Sequence, residues 1–166
     1  RSPADTDIRY SLCFIKVASN LERIGDYGKN MAKRSLVMEP SLITEQGSNS
    51  LRRMTKDVIS MMNNALDAYV RKDVELAEAV IIQDKDIDLH YNALFREFLT
   101  FMMEDPKNIT TCMHLHFIAK NIERVGDYVT SIAEQAIYVA TGEYPSEERP
   151  KADTTSLTKV DSESAS

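Results

Sequence analysis

One ten-residue stretch, present twice, limits what this chain can become. Residues 18–27 read Ala-Ser-Asn-Leu-Glu-Arg-Ile-Gly-Asp-Tyr and residues 119–128 read Ala-Lys-Asn-Ile-Glu-Arg-Val-Gly-Asp-Tyr. Seven of the ten positions are identical, and Leu21/Ile122 and Ile24/Val125 are aliphatic exchanges. The offset of 101 residues is too long for one solenoid repeat. It fits instead a duplicated helical subdomain of about three helices.

Both copies lie in apolar patterns of helical period. The first stripe runs Phe14, Val17, Leu21, Ile24, Gly28, Met31, and the second Leu115, Ile118, Ile122, Val125, Val129, Ile132. Such a stripe predicts a core-facing helix side. Beside each stripe runs a row of small residues seven apart: Ala18, Gly25, Ala32 and Ala119, Gly126, Ala133. A glycine within a helix costs about 1 kcal/mol against alanine, so its double occurrence predicts a close packing contact or a site.

Glu22 and Asp26 share that flank, one turn apart, as do Glu123 and Asp127. Like charges at i, i+4 oppose each other by about 0.2–0.5 kcal/mol, and a cation is the simplest offset. Two carboxylates aimed one way also suit a hard or borderline metal ion. A solvated polar edge, or pairing with Arg23, Arg124 or a lysine of a neighbouring helix, accounts for the same pattern. Asn30 continues the spacing of the first copy and adds an oxygen donor, whereas its counterpart Ser131 is a weaker one.

The repeated Glu-Arg-(Ile/Val)-Gly-Asp-Tyr, with Asp-Lys-Asp-Ile-Asp at 84–88 ahead of the second copy, closely resembles the PhoU family of phosphate-signalling regulators. The resemblance covers residues 1 to about 145. It implies two PhoU repeats of three helices each, of which this chain would hold the last helix of the first (1–40) and the whole second (41–144). It implies a cytoplasmic negative regulator of phosphate uptake and of the phosphate-starvation two-component response. The partners so implied are the ATPase subunit of the phosphate ABC transporter, the sensor histidine kinase and a second copy in a homodimer, with the membrane reached only through them. Some family members hold polynuclear iron or zinc clusters, so an iron, zinc, magnesium or manganese site is expected at Glu22, Asp26, Asn30, Asp84, Asp88, Glu123 and Asp127. In PhoU repeats the helix carrying Asp84 and Asp88 runs antiparallel to the motif helix, which would unite those two with Glu123 and Asp127. No organic cofactor is implied.

Composition agrees with an all-α chain. Of 166 residues 43% are apolar, Gly and Pro number five each, and Leu, Ala, Met, Glu and Lys are abundant. A net charge of −6 without a basic block speaks against nucleic acid and against direct docking on anionic lipid. The apolar runs are too short to span a bilayer. Cys13 and Cys112 stand apart in apolar patterns and read as buried reduced thiols. The chain does not begin with Met and reads as a piece of a longer one.

Helices are predicted over about 4–38, 42–71, 74–104 and 107–141. Their punctuation is Ser2-Pro3, Glu39-Pro40, a Ser41 cap, an Asp73 cap, Asp105-Pro106 and Gly142. The second helix should bury Met54, Val58, Met61, Ala65, Leu66 and Tyr69, and the third Ile81, Ile87, Leu94, Phe98 and Phe101. Residues 145–166 are too polar to order themselves and read as a disordered tail. His90 should face outward, and His114 and His116, two apart, should diverge rather than share a ligand.

Catalytic signatures are absent: no nucleophile–base pair and no Gly-rich phosphate loop. Nor do Arg, Lys and helix N-termini converge at any place the sequence identifies, so phosphate binding is not expected. A regulatory adaptor is the favoured reading. The alternatives are a carboxylate-ligated metal store or non-haem metalloenzyme, weakened because Gly25 and Gly126 stand where Glu-x-x-His motifs need histidine, and a helical dimerisation module without ligand.

Overall fold

The computed structural model describes residues 3–38 and 45–145. They form four helices and no strand: α1 (Pro3–Ser35), α2 (Glu45–Arg71), α3 (Val74–Glu104) and α4 (Ile109–Thr141), with a short 3-10 turn at Pro106–Asn108 before α4. The Ser2 cap, the Glu39-Pro40 stop, the Ser41 cap and the tail beyond Pro145 lie outside the described residues.

Local chemistry sets the inner boundaries. Asp73 caps α3 by accepting from the Leu76 N–H at 3.0 Å. Asp105 accepts from the Lys107 N–H at 2.9 Å, and Pro106 opens the 3-10 turn with its missing N–H harmless. Gly142 ends α4 in the left-handed conformation, φ 79°, its N–H donating to Tyr138 O at 2.8 Å. Between α2 and α3, Lys72 takes φ 55°, which few side chains favour. Its Nζ lies 2.6 Å from Tyr10 Oη and 4.2 Å from the centre of that ring, tying the start of α1 to this turn.

α4 is the central helix, against which α1, α2 and α3 all pack. α2 delivers Met54, Val58, Met61, Ala65 and Ala68, and α3 delivers Val80, Ile87, Tyr91, Leu94 and Phe98. From α4 come Leu115, Ile122, Val125, Val129 and Ile132. Leu66, Tyr69, Ile81 and Phe101 are half-buried at the margin. Full burial of an aliphatic or aromatic side chain contributes about 1.5–3 kcal/mol, so this three-helix core carries the fold. Cys13 and Cys112 are buried free thiols, and desolvation pushes both thiols up.

α1 departs from its expected packing. Cys13 and Val17 are its buried residues, with Ile24, Tyr27 and Met31 packed partly against the core. Phe14 and Leu21, expected in the core, are 65% and 38% exposed, and Gly28 is exposed. The true stripe keeps Val17, Ile24 and Met31 but takes Cys13 and Tyr27 in place of Phe14, Leu21 and Gly28. Ile8, Leu12 and Ile15 form a further apolar row on the opposite side, also exposed. α1 carries more apolar surface than α4 alone can cover.

Pinned contacts set α1 antiparallel to α4. Lys16 Nζ meets Tyr144 Oη at 2.9 Å, the Tyr27 and Tyr128 rings stand 5.7 Å apart, and Arg34 Nη1 reaches 3.3 Å from His114 Nδ1. The final tyrosines of the two repeated stretches thus meet at the middle of this helix pair. No helix among the described residues is long and apolar enough to cross a membrane.

Candidate functional site

The second repeated stretch is the one brought into a site. Small residues let α3 and α4 approach closely: Ala119, Gly126 and Ala133 are all buried. A β-carbon placed on Gly126 would stand 3.0 Å from Asp84 Oδ1 and 3.8 Å from Ile87 Cγ2. The glycine is therefore where a carboxylate of α3 passes against the α4 backbone. This contact, with Tyr91 beside His116, shows α3 antiparallel to α4.

Asp84, Asp88 and Glu123 are 2%, 1% and 1% exposed, far drier than ordinary carboxylates. Asp127 is half-buried, and Asp86 faces out as its spacing requires. Three buried acids between two helices demand positive charge or hydrogen-bond donors. Part of it comes from Lys120, whose Nζ stands 3.1 Å from Glu123 Oε2 and 4.8 Å from the centre of the Tyr91 ring. Lys120 thus serves ion pairing and cation–π contact at once. Sequence reasoning did not single it out, although Ser19 stands in its place in the first copy.

As placed, these residues do not fit a bridging metal cluster. Among the described residues no three His, Cys, Asp or Glu side chains gather as ligands for one ion, and Lys120 already faces Glu123. In the first copy Glu22, Gly25, Asp26 and Asn30 are all exposed, and a β-carbon on Gly25 would meet nothing within 4 Å. The two acid pairs are therefore not equivalent: one lines a helix interface, the other faces outward. Arg23, between them in the fold, donates from Nε to Tyr128 Oη at 3.4 Å, and that hydrogen bond holds the Tyr128 phenol below its ordinary value.

His90 follows the sequence reading, whereas His114 and His116, expected to diverge, border one groove. His90 is exposed with Nδ1 3.7 Å from Asp57 Oδ2, His114 meets Arg34, and His116 packs among Tyr91 and Phe95.

Comparison with known proteins places this geometry. The PhoU domain family matches residues 1–35 and 51–136. The phosphate-specific transport system accessory protein PhoU homolog of Rhizobium meliloti (strain 1021) is 46% identical over 94% of this chain, and that of Caulobacter vibrioides (strain NA1000 / CB15N) 42% over 92%. The chain spans 66% of the length of each. The crystal structure of PhoU from Pseudomonas aeruginosa, at 35% identity, superposes over 86% of this chain and 68% of its own, with a TM-score of 0.80. That of the phosphate transport system regulatory protein PhoU from Streptococcus pneumoniae gives 0.77 at 29% identity, over 84% and 66%. With the family match spread over most of its length and the same helical architecture, the chain belongs to the PhoU family.

Proposed function

We propose that the chain regulates phosphate transport as an adaptor, docking on the ATPase subunit of a phosphate ABC transporter and on the cytoplasmic part of the phosphate sensor kinase. By that contact it represses uptake and the starvation response. The observation that carries this reading is the paired motif helices: α1 and α4 lie side by side, joined at Tyr27 and Tyr128, with acidic groups on their flank. Relatives whose names place them with the phosphate-specific transport system lend it support. α1 is then the last helix of a first repeat and α2–α4 a whole second one. The exposed row Ile8, Leu12, Ile15 is the face that other helices of a first repeat, or a second copy in a homodimer, would cover.

Binding of the chain to the purified ATPase subunit and, separately, to the kinase cytoplasmic domain tests this. Association with at least one, at a defined stoichiometry, is expected. Association with neither sinks the adaptor.

A second reading, metal binding, draws on the buried oxygen donors but requires the site to rearrange from its present placement. An ion at Asp84, Asp88, Glu123 and Asp127 would have to displace Lys120 from Glu123. At Glu22, Asp26 and Asn30 its remaining ligands would come from outside the described residues. Elemental analysis of the parent beside a Glu123→Ala/Asp127→Ala variant decides it. Stoichiometric iron, zinc or manganese lost in the variant supports it; none in the parent removes it.

A further inference from the structure

Beside the acidic interface, and sharing Lys120 with it, the chain builds a basic hollow. Arg34, at the end of α1, lays its guanidinium 4.0 Å from the centre of the Phe117 ring and brings Nη1 to 3.3 Å from His114 Nδ1. Beneath it, between α1 and the N-terminal half of α4, lies a groove of about 590 Å³. Its polar lining comes from Arg34, His114, His116, Lys120, Asn121 and Arg124, and no Asp or Glu lines it. In a chain of net charge −6, Arg34 and Arg124 give this lining a local positive excess, Lys120 being already turned to Glu123.

Three features mark it as built for a ligand. Arg34 and Arg124 make no ion pair among the described residues, so neither guanidinium charge is neutralised by a carboxylate, although Arg34 rests on Phe117 and His114. Asn121, 3% exposed, has an amide Nδ2 without a hydrogen-bond partner among the described residues. A buried donor left in that state costs about 1–3 kcal/mol, and a ligand oxygen in the groove would recover it. The first turn of α4 also borders the groove, with Ile109 and Thr110 in its wall, which adds the positive end of the helix dipole.

We propose that this groove binds a small anion carrying phosphate. Every polar side chain in the lining can donate, and a guanidinium group matches two oxygens of a tetrahedral phosphate in bidentate fashion. The volume exceeds one phosphate and admits a diphosphate or nucleotide. The groove's chemistry is independent of what the bundle docks on. Sequence inspection missed it because Arg34 is 80 residues from His114 and joins it only through the packing of α1 on α4.

Calorimetric titration of the full chain with inorganic phosphate, pyrophosphate and ATP, without divalent ions, is the test. Saturable binding of at least one is expected. Arg34→Gln and Arg124→Gln should each weaken it by about tenfold, and the pair should abolish it. Arg53→Gln, on α2 outside this groove, should leave it unchanged. Both groove arginines reach the surface, so the variants should keep the parent helical signal by circular dichroism. No saturable binding of any probe, or binding that survives the double variant, overturns the proposal. Equal binding of sulfate would mean an adventitious ion only, and overturns it too.

Discussion

The two copies of one ten-residue stretch meet different fates, and the difference lies in what packs over them. In α4, Ile122 is 4% exposed and Glu123 1%; in α1 the matching Leu21 is 38% exposed and Glu22 lies in solvent. The residues are nearly the same, and so is the helix. Only the second copy has α3 laid across its small-residue flank, where Asp84 passes against Gly126. A motif of this kind therefore does not determine a site by itself. It offers a close-approach surface and two carboxylates, and the facing helix decides whether they are buried.

The sharpest way to break this comparison is to truncate the matched apolar residue in each copy. Ile122→Ala should cost about 2–4 kcal/mol, because it opens a cavity in the core, whereas Leu21→Ala should cost under about 1 kcal/mol. Midpoints of urea unfolding measure both. Equal losses would mean that the exposed face of α1 is covered in solution.

Smaller in size but opposite in sign between copies is the glycine pair. Gly25→Ala should stabilise by about 0.5–1 kcal/mol, the helix-propensity gain at an open position. Gly126→Ala should lose that gain and fall below the parent by about 1 kcal/mol, since its β-carbon presses on a buried aspartate that has little room to yield. Stabilisation by both would show that α3 and α4 can part by a few tenths of an ångström at no cost.

The smallest effect belongs to the line where the copies touch. Hydrogen bonding from Arg23 lowers the Tyr128 phenol from its ordinary 10.0. A depressed acid is stabilised in its ionised form, so this contact adds stability only as pH rises through the lowered value toward 10.0 and above, and loses it as pH falls back through that value. Absorbance titration should show one tyrosine ionising early, and Arg23→Ala should return it to the others. An unchanged titration in that variant would remove the contact from solution.

Much of this fold is legible from capping chemistry, because caps are local. Asp73, Asp105-Pro106 and Gly142 mark the ends of α3 and α4 within a residue or two. Family resemblance brings Asp84 and Asp88 beside Glu123, which their spacing alone does not, and their burial is visible only in the fold. What stayed hidden is what depends on distant neighbours. α1 is apolar along more than one face, with Ile8, Leu12 and Ile15 opposite Cys13 and Val17, so periodicity alone pointed the core stripe at Phe14 and Leu21. Lys120 was invisible for the same reason: its significance comes from Tyr91, on α3, as much as from Glu123.

The thin anchoring of α1 bears on how the molecule moves. With two fully buried residues, and its pinned contacts made to side chains far along the chain, α1 is the helix whose amides should exchange soonest with solvent. α2, α3 and α4 would stay closed through such an opening. Each release of α1 withdraws Arg34 from the anion groove, so an anion held there would slow exchange along α1 alone. Occupancy of the groove and attachment of this helix are then one equilibrium, read from either end.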